Sequence, residues 1–134
     1  MTADLPRPFP VPDRDTRPFW QAQNAHELKF QKCSQCAHVR YLPGPLCPDC
    51  CSFDFEWIAS SGRGVIYSYT VVRHQTHPAF PVPYTVVLAQ MEEAPRVIAQ
   101  LRATEGAQFG LGTAVRVEWE DLPHQSLPIF VLDD

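Results

Sequence analysis

Hydrophobic and polar residues alternate through much of the second half of the chain, and a two-residue period is typical of β-strands. The first alternating run follows Gly62 and ends near Val72. Tyr67 and Tyr69 share one face of this run with two valines, so we expect both rings to pack in the core. Four further runs are predicted at 84–91, 96–102, 115–120 and 127–132. The pattern therefore predicts five strands.

Five short strands suit a small Greek-key barrel such as the OB-fold. The chain has 14 prolines, and each removes a backbone donor and fixes φ, which disfavours long helices. The segment 73–83 is long for a connection between two strands, and it contains two histidines and three prolines. Loops of this kind often carry function. We therefore predict a mainly β protein in which 73–83 is a candidate binding loop.

The first 57 residues show a different pattern. Residues 1–14 are rich in proline and lack a hydrophobic period, which predicts an extended arm that becomes ordered only against another surface. Asp15 or Thr16 is expected to cap a short helix that ends near Ala25. The predicted organisation is an arm and short helix at 1–27, a cysteine-containing ribbon at 28–57, and a barrel at 58–134.

Phe19 and Trp20 are adjacent aromatic residues at the start of the predicted helix. On a helix, neighbouring side chains point about 100° apart, so both rings cannot lie on one narrow stripe. Two interpretations remain open at this point. Both rings pack on the ribbon or barrel, or one of them contacts a partner subunit.

Four cysteines form two C-x2-C pairs that are separated by ten residues: Cys33, Cys36, Cys47 and Cys50. Each close pair can form a tight turn, or knuckle, that directs two sulfurs at one metal ion. Four thiolates complete a tetrahedron and leave no position for water or substrate, so the ion is predicted to be structural. We predict Zn²⁺, and a single rubredoxin-type iron is the alternative that the spacing leaves open.

The fifth cysteine, Cys51, directly follows Cys50 and is expected to pack as a small residue and not to bind the ion. Knuckles often have glycine after the second cysteine, because that position needs φ above zero. This chain has Ala37 and Cys51 there instead. We therefore expect strain or a variant turn at both positions.

Composition narrows the range of partners and compartments. The formal net charge is −4 and the sequence pI is near 5.7, so no overall basic field attracts a phosphate backbone. The first residues lack a signal-peptide pattern, and no run of about 18 apolar residues predicts a membrane span. Reduced thiolates on a metal favour a cytoplasmic location over a secreted disulfide framework.

These residues together resemble a known family of bacterial and archaeal proteins, long classed as domain of unknown function 35. Its members have a rubredoxin-like zinc ribbon followed by an OB-fold. The motifs that carry the resemblance are Arg17-Pro18-Phe19-Trp20, the knuckles CSQC and CPDC, Glu56-Trp57, GRGVIYSYTVV, and PYTVV from Pro83. The resemblance spans nearly the whole chain.

The resemblance implies an accessory subunit that associates with a thiolase-like enzyme or a hydratase and helps to bind acyl-CoA. Arg63, Arg73 and His74 flank the first barrel strand, so we consider them as contacts for the phosphates or pantetheine amides of coenzyme A. The alternative for each is a solvated surface residue. No catalytic residue is predicted, because no Ser/His/Asp set, paired acids or Gly-rich phosphate loop can be identified.

Two other functions are weighed against this one. OB-folds often bind single-stranded nucleic acid in a basic groove, but acidic residues outnumber basic ones after Ile58. Iron in the ribbon would instead suit electron transfer, as in rubredoxin. A colourless protein that contains zinc would exclude the redox role.

Overall fold

The computed structural model describes residues 6–133. It contains one helix and eight strands: α1 (Arg17–Asn24), β1 (Lys29–Cys33), β2 (Val39–Arg40), β3 (Phe55–Ala59), β4 (Arg63–Val72), β5 (Tyr84–Met91), β6 (Arg96–Leu101), β7 (Ala114–Asp121) and β8 (Ser126–Leu132). Strands β1 to β3 form an antiparallel sheet in the order β2-β1-β3, and the other five close a barrel in the order β4-β5-β6-β8-β7. The predicted mainly β class, with a short helix, a four-cysteine ribbon and a five-stranded barrel, is confirmed.

The barrel encloses a core built from inward-facing residues of every strand. These residues include Ile66, Val87, Val97, Val115 and Phe130, each no more than 1% exposed. Phe19, Leu28 and Phe30 from the helix and ribbon belong to the same buried cluster. The ribbon and the barrel therefore share one core, and each stabilises the other.

Helix α1 is held against β8 by polar contacts. The Gln125 side-chain amide donates to the Trp20 carbonyl oxygen at 3.0 Å, and the backbone N–H of Ser126 donates to Asn24 Oδ1 at 2.8 Å. Of the two expected caps, Thr16 is the N-cap residue of α1, although its side chain makes no capping hydrogen bond to the helix. Asp13 Oδ1 accepts from the Thr16 backbone N–H at 2.9 Å, while the Asp13 N–H donates to Thr16 Oγ1 at 3.0 Å. This reciprocal pair has the pattern of a capping box and lies in the turn that precedes the helix.

The expected arm lies partly outside the described residues, which begin at Pro6. Residues 6–12 have no regular secondary structure, but Arg7 binds Glu120 of β7 with a 2.6 Å ion pair. The guanidinium of Arg7 also lies 5.1 Å from the centroid of the Phe80 ring in the 73–83 loop. This part of the arm therefore packs against the barrel.

Tyr67 and Tyr69 were expected in the core, and this expectation is wrong. Their exposed fractions are 49% and 41%. The pairing of β4 with β5 shifts between Ile66 and Ser68, so Tyr67 occupies a β-bulge and the strict alternation of faces is interrupted. On the barrel exterior, the Arg96 guanidinium carbon lies 3.7 Å from the centroid of the Tyr67 ring.

Among the residues that the structure describes, no helix is long and apolar enough to cross a bilayer.

Candidate functional site

The two cysteine pairs lie in turns with the same backbone hydrogen bonds. In the first knuckle, the N–H of Ala37 donates to the Cys33 carbonyl oxygen at 3.0 Å. In the second, the N–H of Cys51 donates to the Cys47 carbonyl oxygen at 2.9 Å. Strand β1 ends at Cys33 and so fixes the first knuckle to the central strand of the ribbon. The second knuckle lies in the connection between β2 and β3.

The four sulfurs of these knuckles lie within 4.8 Å of one another. The Sγ atoms of Cys33 and Cys50 are 3.6 Å apart, and those of Cys36 and Cys47 are also 3.6 Å apart. A metal with bonds of about 2.3 Å to four sulfurs needs an edge of about 3.8 Å between them. The arrangement therefore fits a tetrahedral metal site.

The thiols at this site differ in acidity. The pKa of Cys33 is lowered to about 6, first by the backbone N–H of Cys36 and then by that of Gln35, which lies 3.4 Å from the sulfur. The backbone N–H of His38 acts to lower the pKa of Cys36, but desolvation and neighbouring sulfurs outweigh it and raise the value to about 12. Four thiolates at this distance therefore need a cation to compensate their charge, and metal binding would release protons.

A contact between two side chains connects the two knuckles outside the sulfur cluster. His38 Nδ1 lies 3.0 Å from Asp49 Oδ2. His38 follows the first cysteine pair and Asp49 lies within the second, so the contact holds the two halves of the site together. The sequence contains no signal that these two residues meet.

The positions after the second cysteine of each pair adopt φ above zero, as expected. Ala37 has φ of 66° and Cys51 has φ of 64°. A left-handed backbone costs an L-residue roughly 1–2 kcal/mol, since Cβ approaches the carbonyl oxygen. The ribbon therefore carries local strain that glycine would remove.

Replacing Ala37 with glycine is expected to stabilise the protein by about 0.5–1 kcal/mol, because relief of the φ strain exceeds the entropy that glycine loses on folding. Denaturant unfolding of the metal-loaded protein would measure this change. Ala103→Gly is the matched control: Ala103 is exposed and its φ is not positive, so glycine there should lower the free energy of unfolding. Equal losses in both variants would contradict the strain argument.

The comparisons with known proteins divide the chain into two matches that meet within β3, the last strand of the ribbon sheet. Residues 20–56 match a family model described as ChsH2, rubredoxin-like zinc ribbon domain. Residues 57–120 match one described as ChsH2, C-terminal OB-fold domain. A DUF35 domain-containing scaffold protein of Pyrococcus furiosus is 33% identical over 101 residues, which cover 74% of each chain. The chain belongs to the DUF35 family.

Two further proteins similar to this DUF35 protein have names that describe assemblies. A probable enoyl-CoA hydratase alpha subunit of Thermomonospora curvata is 37% identical over 125 residues. The match covers 92% of the present chain and only 39% of that relative. A solved chain of an Ltp2-ChsH2(DUF35) aldolase is 34% identical, with a TM-score of 0.84, and the match covers 92% of this chain and 98% of that one.

The structure of this DUF35 protein separates the three predicted coenzyme A contacts. Arg63 is exposed at the start of β4 and donates to Asp133 at 3.1 Å. Arg73 and His74 are exposed just beyond the other end of that strand. Ten residues of extended chain place the two ends about 30 Å apart. Arg73 and His74 therefore belong to one surface and Arg63 to another.

The adjacent aromatics of this DUF35 protein also differ in environment. Phe19 is 2% exposed and lies in the shared core, whereas Trp20 is partly buried and packs edge to face on Phe19 with 5.1 Å between ring centroids. The packing interpretation therefore describes Phe19. Its side chain offers no surface to a partner subunit in this conformation.

Sequence reasoning missed the polar pair that supports the ribbon of this DUF35 protein. Gln31 Oε1 accepts hydrogen bonds from Arg40 Nε at 2.8 Å and from the Gly44 N–H at 2.9 Å. Both side chains are buried, and the Arg40 guanidinium lies 5.2 Å from the centroid of the Phe55 ring. Gln31 and Phe30 are neighbours on β1, and both are buried. Strict alternation would have placed Gln31 in solvent.

Proposed function

We propose that the chain is a non-catalytic accessory subunit that associates with a thiolase-like enzyme (a thiolase, a lipid-transfer-type aldolase or an acyltransferase) or with a hydratase, and helps it to bind acyl-CoA. The observation that carries this proposal is the match over 98% of the DUF35 chain in an Ltp2-ChsH2(DUF35) aldolase. The hydratase alpha subunit of Thermomonospora curvata supports the second class of partner.

The geometry of the hydroxyl and imidazole groups near α1 supports a non-catalytic role. Ser126 Oγ donates to Asp121 Oδ1 at 2.5 Å, and His26 Nε2 lies 2.7 Å from the same oxygen. The carboxylate therefore stands between the serine and the histidine. In a site with a nucleophilic serine, the histidine lies between the serine and the carboxylate and accepts the hydroxyl proton.

Structural Zn²⁺ is the metal that we propose for the four-sulfur site. Cys33, Cys36, Cys47 and Cys50 would hold it, and bound zinc supplies a fixed tetrahedral crosslink with no open position for chemistry. Elemental analysis of the purified protein distinguishes zinc from iron. Thiols are kept reduced in the cytosol, which supports our proposal of a cytoplasmic location.

The exposed apolar side chains of the barrel support association with another protein. Val65, Tyr67, Ile98 and Leu111 are each at least 40% exposed. Large exposed apolar side chains are candidate contacts for another protein. Trp20 is the residue of the adjacent aromatic pair that remains a candidate for the subunit contact, because it keeps some accessible surface.

Arg73 and His74 are the residues that we propose as contacts for the coenzyme A moiety. Both are exposed, and neither makes a side-chain hydrogen bond or ion pair within the described residues. An unpaired arginine can bind a phosphate with two parallel hydrogen bonds. Arg63 is a weaker candidate, since Asp133 already compensates its charge.

The test is calorimetric titration of acyl-CoA thioesters with steroid, aromatic or aliphatic acyl groups into the purified complex and into the partner alone. The partner is first identified by mass spectrometry after copurification with the tagged chain. We expect the complex to bind at least one thioester more tightly than the isolated partner does. Equal affinity in both would remove the acyl-CoA role and leave the association intact.

Arg73→Ala in the complex is expected to weaken acyl-CoA binding by about tenfold, because a charge-assisted hydrogen bond contributes about 1.5–3 kcal/mol. Arg102→Ala is the matched control, since Arg102 is also exposed but is paired with Glu118. Unchanged affinity of the Arg73 variant would reject that contact. Unchanged turnover of a His74→Ala complex would likewise exclude assistance by His74 in the partner's reaction.

Single-stranded nucleic-acid binding is the alternative function, and the exposed Tyr67 and Tyr69 on the barrel favour it. Two observations weigh against it. Arg96 already covers one face of the Tyr67 ring, and acidic residues outnumber basic ones in the barrel. A gel-shift assay at low salt tests the alternative, and an unretarded oligonucleotide would dismiss it.

A further inference from the structure

A cavity of about 220 Å³ lies where α1, the ribbon and the barrel meet. Its walls are largely aromatic and aliphatic, with contributions from Phe19, Trp20, Tyr41, Phe80, Leu127 and Ile129. An apolar cavity of about 150 Å³ is large enough to bind benzene. The space is therefore sufficient for an aromatic ring with one substituent.

The cavity is also lined by a buried amide, that of Gln23 on α1. Gln23 is 2% exposed, and its Oε1 has no hydrogen-bond partner among the described residues. An unpaired buried acceptor is unfavourable, and native proteins rarely retain one without a reason. Rotation about χ3 of glutamine is soft, so the amide can turn its oxygen or its nitrogen toward an occupant. A hydroxyl group, which both donates and accepts, would satisfy either orientation.

The charged residues at this cavity neutralise one another. Arg7 Nη1 donates to Glu120 Oε1 at 2.6 Å, and the guanidinium also lies against the Phe80 ring. All three residues line the cavity. Because the two charges are paired, the walls offer no uncompensated charge to an ionic ligand. The occupant that suits these walls is neutral.

We propose that this cavity binds a small neutral molecule with an apolar, ring-sized body and one hydroxyl group, and that Gln23 is the residue that selects the hydroxyl. The site depends on residues of this chain alone, so the proposal does not rest on the accessory role. It assigns a binding function to the junction between ribbon and barrel, at a cavity that neither Arg73 nor His74 lines.

Phenol and fluorobenzene are suitable probes, because they have similar shapes and only phenol donates a hydrogen bond. Each is titrated into the full chain, and binding is followed by NMR at the Trp20 indole N–H and at the side-chain amide of Gln23. In Gln23→Leu, the dissociation constant of phenol divided by that of fluorobenzene is expected to rise by about tenfold, since the phenol hydroxyl loses its partner. Comparison of the ratios cancels the different hydrophobicities of the probes.

Gln21→Leu is the matched control, because Gln21 is exposed on the same helix and should leave the ratio unchanged. If Gln23→Leu does not fold, the proposal is tested on the wild-type spectra alone. It then requires that the signals of the Gln23 side-chain amide shift with added phenol until they saturate. The proposal is overturned if phenol leaves the Trp20 and Gln23 signals unshifted. It is also overturned if the folded Gln23 variant keeps the wild-type ratio.

Discussion

Cys47→Ala is expected to abolish stoichiometric metal binding and to unfold the ribbon at 25 °C. Cys47 is fully buried, and the variant leaves three sulfurs for an ion that needs four. Structural zinc contributes on the order of 10–16 kcal/mol to the folding of small zinc-binding peptides, which matches or exceeds the whole stability of an ordinary domain. Because Phe30 and Leu28 belong to the core shared with the barrel, we expect thermal unfolding of the remaining structure to occur at a lower temperature too. Native mass spectrometry and circular dichroism measure the two effects.

Cys51→Ala is the matched control for this experiment. Cys51 is adjacent to a ligand, it is exposed, and its φ of 64° is as unfavourable for alanine as for cysteine. This variant should keep one metal ion and a melting temperature close to that of the wild type. A Cys47→Ala protein that melts like the wild type would contradict the structural role of the metal. Wild-type protein that stays fully folded after chelation would contradict it too.

Gly64→Ala is expected to destabilise the barrel by about 2–3 kcal/mol, because a side chain there has no room. A Cβ on Gly64 would lie 2.5 Å from the backbone oxygen of Gln90 and 3.0 Å from Met91 Sδ. Gly64 pairs with Met91 on one side and with Val115 on the other, so β4 cannot move away from one neighbour without disturbing the other. Chemical denaturation measures the loss of stability.

The matched control is Gly44→Ala in the ribbon. A Cβ on Gly44 would have no heavy atom within 4 Å, and its φ is not positive. Alanine there should leave the protein unchanged or stabilise it by about 0.4–1 kcal/mol through the entropy of the unfolded chain. Similar losses in the two variants would show that steric contact at Gly64 is not the cause.

The parts of the fold that the sequence predicts correctly depend on local rules. Cysteine spacing identifies a compact sulfur cluster, because each C-x2-C turn fixes two sulfurs independently of the rest of the fold. The two-residue period identifies every barrel strand, and the loop at 73–83 has the predicted bounds. Non-glycine residues with positive φ are likewise predictable from the knuckle motif, at Ala37 and Cys51.

The features that the sequence does not reveal depend on contacts between distant residues. The bulge at Tyr67 arises from the register between two strands, so the alternation within β4 gives no sign of it. Gln31 looks like a surface residue because its hydrogen-bond partners, Arg40 and Gly44, lie 9 and 13 residues further along the chain. The cavity at Gln23 needs the helix, ribbon and barrel to be placed together. The sequence suggests a single group of coenzyme A contacts, because Arg63, Arg73 and His74 all flank the same strand. The length of β4 places Arg63 far from the other two residues.

The order of strands in the two sheets has a consequence for self-association. The barrel pairs its strands in a closed ring, whereas the ribbon sheet leaves β3 at an edge among residues 6–133. Unpaired backbone groups along such an edge can template the addition of a strand from another chain. Glu56 lies exposed at the second position of β3, and a charge there disfavours edge-to-edge growth of aggregates. The exposed edge of β3 and the Glu56 carboxylate therefore have opposing effects on the addition of a further strand.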